Sequence, residues 1–190
     1  LAFQPILDLR SGRIAKAEAL LRLTLPQAPG PAVFVPAAER HGLIGELGAA
    51  AFRRAAEAAA RWSRMTPLAP DSFRLGVNVA PRQLEAENFV ETALKICAEA
   101  GCAPNLLTLE ITESTALEAP AEAARRLEKL RAAGFRIALD DFGAAHSDLD
   151  RLAALPADLL KADALLVERA ASGAQGARLL ASVGALARSL

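Results

Sequence analysis

Asp140 and Asp141 stand side by side at the end of an apolar run made by Phe135, Ile137, Ala138 and Leu139, with Gly143 close behind. Two adjacent carboxylates at the mouth of a buried strand repel each other and are costly to desolvate unless a cation or strong donors neutralise them. That is the chemistry of a metal site. Other polar residues interrupt apolar segments in the same manner: Glu18, Asn78 between Val77 and Val79, Glu110, and Lys161, which follows Leu159 and Leu160 and precedes Asp163. Glu18, Asn78, Glu110 and Asp140 are hard oxygen donors of the kind Mg2+ or Mn2+ takes, and Asp141 is placed to serve a second ion. Each also has a plainer reading. Glu18 would be solvated on a half-exposed strand, Glu110 would lie on an exposed face near Glu113, and Lys161 would pair with Asp163. An amide between valines must still find partners, and it is the set, not any one member, that favours a site.

Other chemistries lack members. Asp141-Phe142-Gly143 spells the magnesium motif of protein kinases, but no glycine-rich loop precedes it and no His-Arg-Asp loop stands where one is needed. With 2 histidines in the chain, His146 has no partners for a histidine-based metal site or triad. Cys97 and Cys102 have no second pair to complete a zinc site and read as reduced thiols.

The elements that position these residues follow from pattern and punctuation. Ala2 to Leu9 and Arg13 to Leu23 are apolar segments joined by Arg10-Ser11-Gly12, which predicts an antiparallel hairpin. After the loop Gln27 to Pro31, Pro36 opens a short helix that Gly42 stops, and a longer helix runs from Ile44 to Ser63. Then strands at Arg74 to Val79, Leu106 to Thr112, the run ending at Leu139, and Leu159 alternate with helices at Ala86 to Ala100, Pro120 to Ala133 and Leu149 to Ala154, and helical sequence reaches the end. The alternation predicts parallel strands with crossovers in one α/β domain. Asn78, Glu110, Asp140 and Lys161 are spaced by roughly one strand-helix unit each. In a barrel such strand ends converge on one face, whereas in an open doubly wound sheet they would lie in a line, so five convergent positions favour a TIM-type barrel.

At 190 residues and 53% hydrophobic content the chain has ample material for a core. Lys plus Arg and Asp plus Glu both number 22, which gives no electrostatic case for nucleic acid or an anionic membrane as partner. The Ala-rich stretch from Gly48 to Trp62 is broken by Arg53, Arg54, Glu57 and Arg61 and is not a membrane span.

With these residues in place, the chain resembles the EAL-domain family of cyclic di-GMP phosphodiesterases. Glu18-Ala19-Leu20, continued to Arg22, looks like the signature that names the family; LGVNVAPRQL around Asn78, LTLEITES around Glu110, DDFG at Asp140 and LLKAD at Lys161 are similar to its other strand-end motifs, in order. The resemblance implies a (β/α)8 barrel of TIM type whose first strand is antiparallel. It implies hydrolysis of cyclic di-GMP to linear pGpG with Mg2+ or Mn2+. Glu18, Asn78, Glu110 and Asp140 would hold one ion and Asp140 with Asp141 the second. Lys161 and Asp141 would carry the catalysis, Lys161 by orienting or deprotonating the water, Arg22 would meet a ligand phosphate, and Gln4 would line the pocket. By the same resemblance two further strands follow in the family, so residues 1–190 read as an EAL-like domain incomplete at its C-terminus, lacking the last two strands. That predicts open sheet edges, self-association and weak activity for the piece alone. The loop Ala144-Ala145-His146-Ser147-Asp148 departs from the family pattern, which keeps a second function open: a degenerate domain that binds cyclic di-GMP or a protein partner without cleaving. The family context also implies a cytoplasmic setting, dimer contacts, and an upstream sensory or GGDEF domain.

Overall fold

The computed structural model describes residues 1–65, 73–112, 120–143 and 155–189. It opens with an antiparallel pair, β1 (Ala2–Leu7) and β2 (Ile14–Leu20), in which Gln4 faces Glu18. Both strands are shorter than expected, and at the turn Asp8 is the reason. Its carboxylate accepts the backbone N–H groups of Arg10 and Ser11 at 3.0 and 2.7 Å, closing a side-chain-built turn that Gly12 completes at φ +66°. Donors captured by Asp8 cannot extend the ladder.

The next strands are β3 (Arg74–Asn78), β4 (Leu107–Thr112), β5 (Arg136–Phe142) and β6 (Leu159–Ala162), each parallel to its predecessor from β2 onward. Spatial order equals chain order, β1 to β6, so the sheet has no reversal point of the doubly wound kind. It is also curled. Four strand spacings separate β2 from β6, about 19 Å in a flat sheet, yet Lys161 Nζ on β6 lies 3.1 Å from Glu18 Oε2 on β2. This is an open sheet of the (β/α)-barrel type with an antiparallel first strand, with six strands among the described residues.

Seven helices accompany the strands among the described residues: α1 (Pro31–Arg40), α2 (Ile44–Met65), α3 (Pro81–Glu85), α4 (Phe89–Ala100), α5 (Pro120–Ala132), α6 (Ala164–Ser172) and α7 (Ala174–Ser189). The first begins five residues before the Pro36 start expected from sequence. Pro31 fills the first helical position by the same rule, and Pro36 is carried inside at the loss of one backbone hydrogen bond. The short α3 starts at Pro81, as a proline in the first helical position predicts, and Gln83 Oε1 accepts the Ala80 N–H at 3.1 Å. The expected C-terminal helix is two helices, split at Gly173, with Asp163 capping the first by accepting from Leu165 N at 2.8 Å. The expected helix at Leu149 to Ala154 lies outside the described residues.

The core fills the space between one face of the sheet and the helices. Leu75, Val77, Leu107, Leu109, Ile111, Ile137 and Leu139 pack there with Phe52, Ala55, Ala56 and Ala59 of α2, Ile96 of α4, and Leu127 and Leu130 of α5. Alanines along α2 let its backbone approach the strands closely. Cys97 and Cys102 are free and buried in this layer. Strand alternation then turns Glu18, Gly76, Thr108, Glu110, Ala138 and Lys161 to the opposite, concave face. Among the described residues no helix is long and apolar enough to cross a membrane.

Candidate metal centre

Three of the residues expected at a metal converge from three strands. One oxygen each of Glu18 (β2), Glu110 (β4) and Asp140 (β5) lie within 4.8 Å of one another. Lys161 from β6 completes the cluster, its ammonium donating to Glu110 Oε2 at 2.6 Å, Asp140 Oδ2 at 2.7 Å and Glu18 Oε2 at 3.1 Å. Asn78 at the end of β3 donates from Nδ2 to Glu18 Oε1 at 2.9 Å. Lys161 therefore does not pair with Asp163, whose carboxylate caps α6.

Asp140 and Asp141 both reach this end of the sheet because β5 carries a bulge. Leu139 pairs with Leu160 and Phe142 with Ala162, so two residues of β5 oppose Lys161 alone. The strand thus runs to Phe142 and not to Leu139, and Asp141 sits at φ +57°, a left-handed conformation that Asp tolerates better than most residues. Its N–H donates to Asp140 Oδ1 at 2.9 Å, which holds that carboxylate in place.

Burial and charge oppose each other across the cluster. Glu110 is 4% exposed, and burial pushes its carboxyl up to about 7 against the pull of Lys161. For Glu18 burial also acts upward, but the Asn78 and Lys161 hydrogen bonds prevail and its pKa is lowered. Asp141 is raised, by burial first and then by the charges of Asp140 and Asp163. Burial alone would lower the Lys161 pKa, yet the hydrogen bonds to Asp140 and Glu110 more than offset it and the ammonium is held above its usual range.

Sequence reasoning missed one residue of this face. Gly76, beside Glu110 across the strands, has no room for a side chain: a Cβ there would run into the Glu110 carboxylate. An isolated glycine inside a strand is itself a signal of close approach. Gly76→Ala is expected to cost about 1–3 kcal/mol, measured as a lower denaturation midpoint at unchanged slope; an unmoved midpoint would mean the carboxylate has room elsewhere. Thr108, which the two-residue period of the strand predicts on the face of Glu110, is buried with Oγ1 unpartnered among the described residues.

The donor set fits a hard divalent cation. Three carboxylates face one ammonium, the oxygens converge, and the Asn78 carbonyl oxygen adds a neutral donor of the same class. Two hollows adjoin the cluster. One, of about 490 Å3, runs from Glu18 and Asn78 past Arg22 to α1 and α2. The other, of about 360 Å3, lies within the curl of the sheet and is lined by Gln4, Glu18, Thr108, Glu110 and Lys161. Arg22 and Gln4 therefore border the site from different sides. Arg22 is exposed just after β2 and donates to its neighbour's carbonyl, Leu21 O, at 2.8 Å. The expected loop at Ala144 to Asp148, with His146, lies outside the described residues.

Residues 1–190 match the family described as the EAL domain. An uncharacterised signalling protein of Caulobacter vibrioides is 35% identical over 190 residues, covering 99% of this chain and 23% of the relative. A cyclic di-GMP phosphodiesterase of Pseudomonas aeruginosa is 36% identical over 166 residues, 86% of this chain and 27% of that protein. The chain thus spans about a quarter of the curated relatives it matches. Among solved structures, the PaMucR phosphodiesterase in complex with c-di-GMP superposes with a TM-score of 0.90 at 31% identity, over 98% of this chain and 75% of that one. The EAL domain of Mycobacterium smegmatis DcpA does so with a TM-score of 0.80 at 32% identity, again over 98% and 75%.

Proposed function

Since the chain belongs to the EAL domain family, we propose that it binds cyclic di-GMP and hydrolyses one of its phosphodiester bonds to give linear pGpG, with Mg2+ or Mn2+ as cofactor. The observation that carries this reading is the convergence of Glu18, Glu110 and Asp140 from three strands onto one point. Those three residues and Asn78 would hold one ion, and Asp140 with Asp141 a second. Such ions lower the pKa of water and neutralise charge that builds on phosphoryl oxygens. The support from relatives is that one bears the name of a cyclic di-GMP phosphodiesterase and another is seen with the ligand.

The chain's own residues have distinct tasks in this scheme. Asn78 and the Asp141 N–H fix the orientations of the Glu18 and Asp140 carboxylates, so that the other oxygen of each, which Lys161 meets, points at the site. Arg22, beside the larger hollow, turns from Leu21 O to a ligand phosphate, for which a guanidinium is a bidentate donor. Gln4 meets the ligand from the β1 side. Lys161, which reaches Glu18, Glu110 and Asp140 from β6, would orient or deprotonate the attacking water.

The test is incubation of the protein with cyclic di-GMP and Mg2+ or Mn2+, with separation of products by chromatography and a chelator control. Linear pGpG that disappears with chelator is expected. Intact cyclic di-GMP with measurable binding would instead mark a recognition module that does not cleave. Arg22→Ala is expected to weaken ligand binding by about tenfold or more, the value of one charge-assisted contact, measured by calorimetry under non-cleaving conditions. An unchanged dissociation constant would remove Arg22 from the ligand.

A further inference from the structure

We propose that the Lys161 ammonium is the resident cation of this site: it occupies the Glu18, Glu110 and Asp140 oxygens that a divalent ion would take, so metal entry requires its withdrawal. The inference rests on the metal reading above and adds a competitor to it. The bookkeeping of oxygen atoms leads there. Lys161 Nζ takes Glu18 Oε2, Glu110 Oε2 and Asp140 Oδ2. The second oxygens are largely engaged as well: Asn78 Nδ2 donates to Glu18 Oε1, the Asp141 N–H donates to Asp140 Oδ1, and Glu110 Oε1 is turned against Gly76. A cation that needs several of these oxygens at about 2.0–2.1 Å must therefore displace a donor already present.

Of the three donors, Lys161 is the one built to leave. The Asp141 N–H is backbone inside the bulge, and Asn78 ends a strand paired on both sides. Lys161 lies on the four-residue β6, which pairs with β5 alone among the described residues, and its side chain keeps 28% of its surface exposed. Its four-carbon stem can swing outward by rotation about single bonds, without moving the backbone. The exchange replaces one positive charge by two among three carboxylates, which gives the ion the advantage once it is abundant. Until then the ammonium ties β2, β4 and β5 to β6.

The test uses Mn2+ as the probe and two independent readouts. In calorimetry, Lys161→Met, close in length but uncharged, should bind Mn2+ tighter than the unaltered protein by about tenfold or more, the factor a competitor present nine-tenths of the time imposes. In the unaltered protein, labelling by an amine-reactive ester followed by mass spectrometry should show Lys161 protected without metal and reactive at saturating Mn2+. Lys95, with 76% of its side chain exposed, is the internal standard. Should the variant fail to fold, the labelling decides alone. Equal or weaker Mn2+ binding by a folded Lys161→Met, or labelling that Mn2+ leaves unchanged, would overturn the exchange while sparing the metal reading. No Mn2+ binding by either protein would overturn both.

Discussion

Asp140→Asn is expected to abolish metal-dependent cleavage of cyclic di-GMP while leaving the protein folded. The substitution is nearly isosteric but removes the charge of the one carboxylate proposed to serve both ions. Its loss should exceed the roughly 10–100-fold that changes in outer-shell partners bring, so turnover should fall by more than about a hundredfold in the same assay. The fold should survive because Lys161 keeps Glu110 at 2.6 Å and Glu18 at 3.1 Å, and one fewer carboxylate eases repulsion inside the cluster. A variant with wild-type turnover at wild-type Mg2+ demand would sink the two-ion assignment. A variant that loses activity only because it unfolds would be recognised from its denaturation midpoint.

The second large effect concerns the layer behind the site. Leu109 is fully buried between the sheet and the helices, one residue before Glu110, and lies on the opposite face of β4. Leu109→Ala is expected to destabilise the fold by about 2–5 kcal/mol, the transfer term plus the cavity left by side chains that only partly relax. Against a total of about 5–15 kcal/mol for a typical domain, that is enough to bring the folded state near its margin. Chemical denaturation measures it directly, as a lower midpoint. A cost below about 1 kcal/mol would mean that the layer collapses into the gap, contrary to the close packing of its neighbours.

Much of the site was legible because the chemistry sits where apolar strands stop. Glu18, Asn78, Glu110, Asp140 and Lys161 each break an apolar run, and in parallel strands of a barrel such breaks fall on one face. The structure brings these five into one cluster. The hairpin was legible from Ser11 and Gly12, although the extent of its turn was set by Asp8, whose part there depends on side-chain geometry that composition does not convey. The helix at Pro31–Arg40 was misplaced because two prolines, Pro31 and Pro36, satisfy the same rule and only packing chooses between them. Of the two readings of Lys161, the local one fails and the convergent one holds. Asp163 is two residues away in sequence, whereas Glu18 is brought near by the curl of six strands, a property of the whole sheet.

The bulge at Asp140 and Asp141 has a further consequence, best put as a matter of parity. Along β5 the odd-numbered Ile137 and Leu139 belong to the layer against the helices, but past the paired acids it is the even-numbered Phe142 that does, 3% exposed. The two acids are thus a frame shift as well as a pair of charges. Substituting Asp141 changes one side chain and leaves the frame intact. Deleting it would remove the bulge and restore strict alternation, with Asp140 alone opposite Lys161 and Phe142 still in its layer. A relative with a single acid at this point would therefore keep the same face for each later residue and lose only the second carboxylate and the kink that carries it.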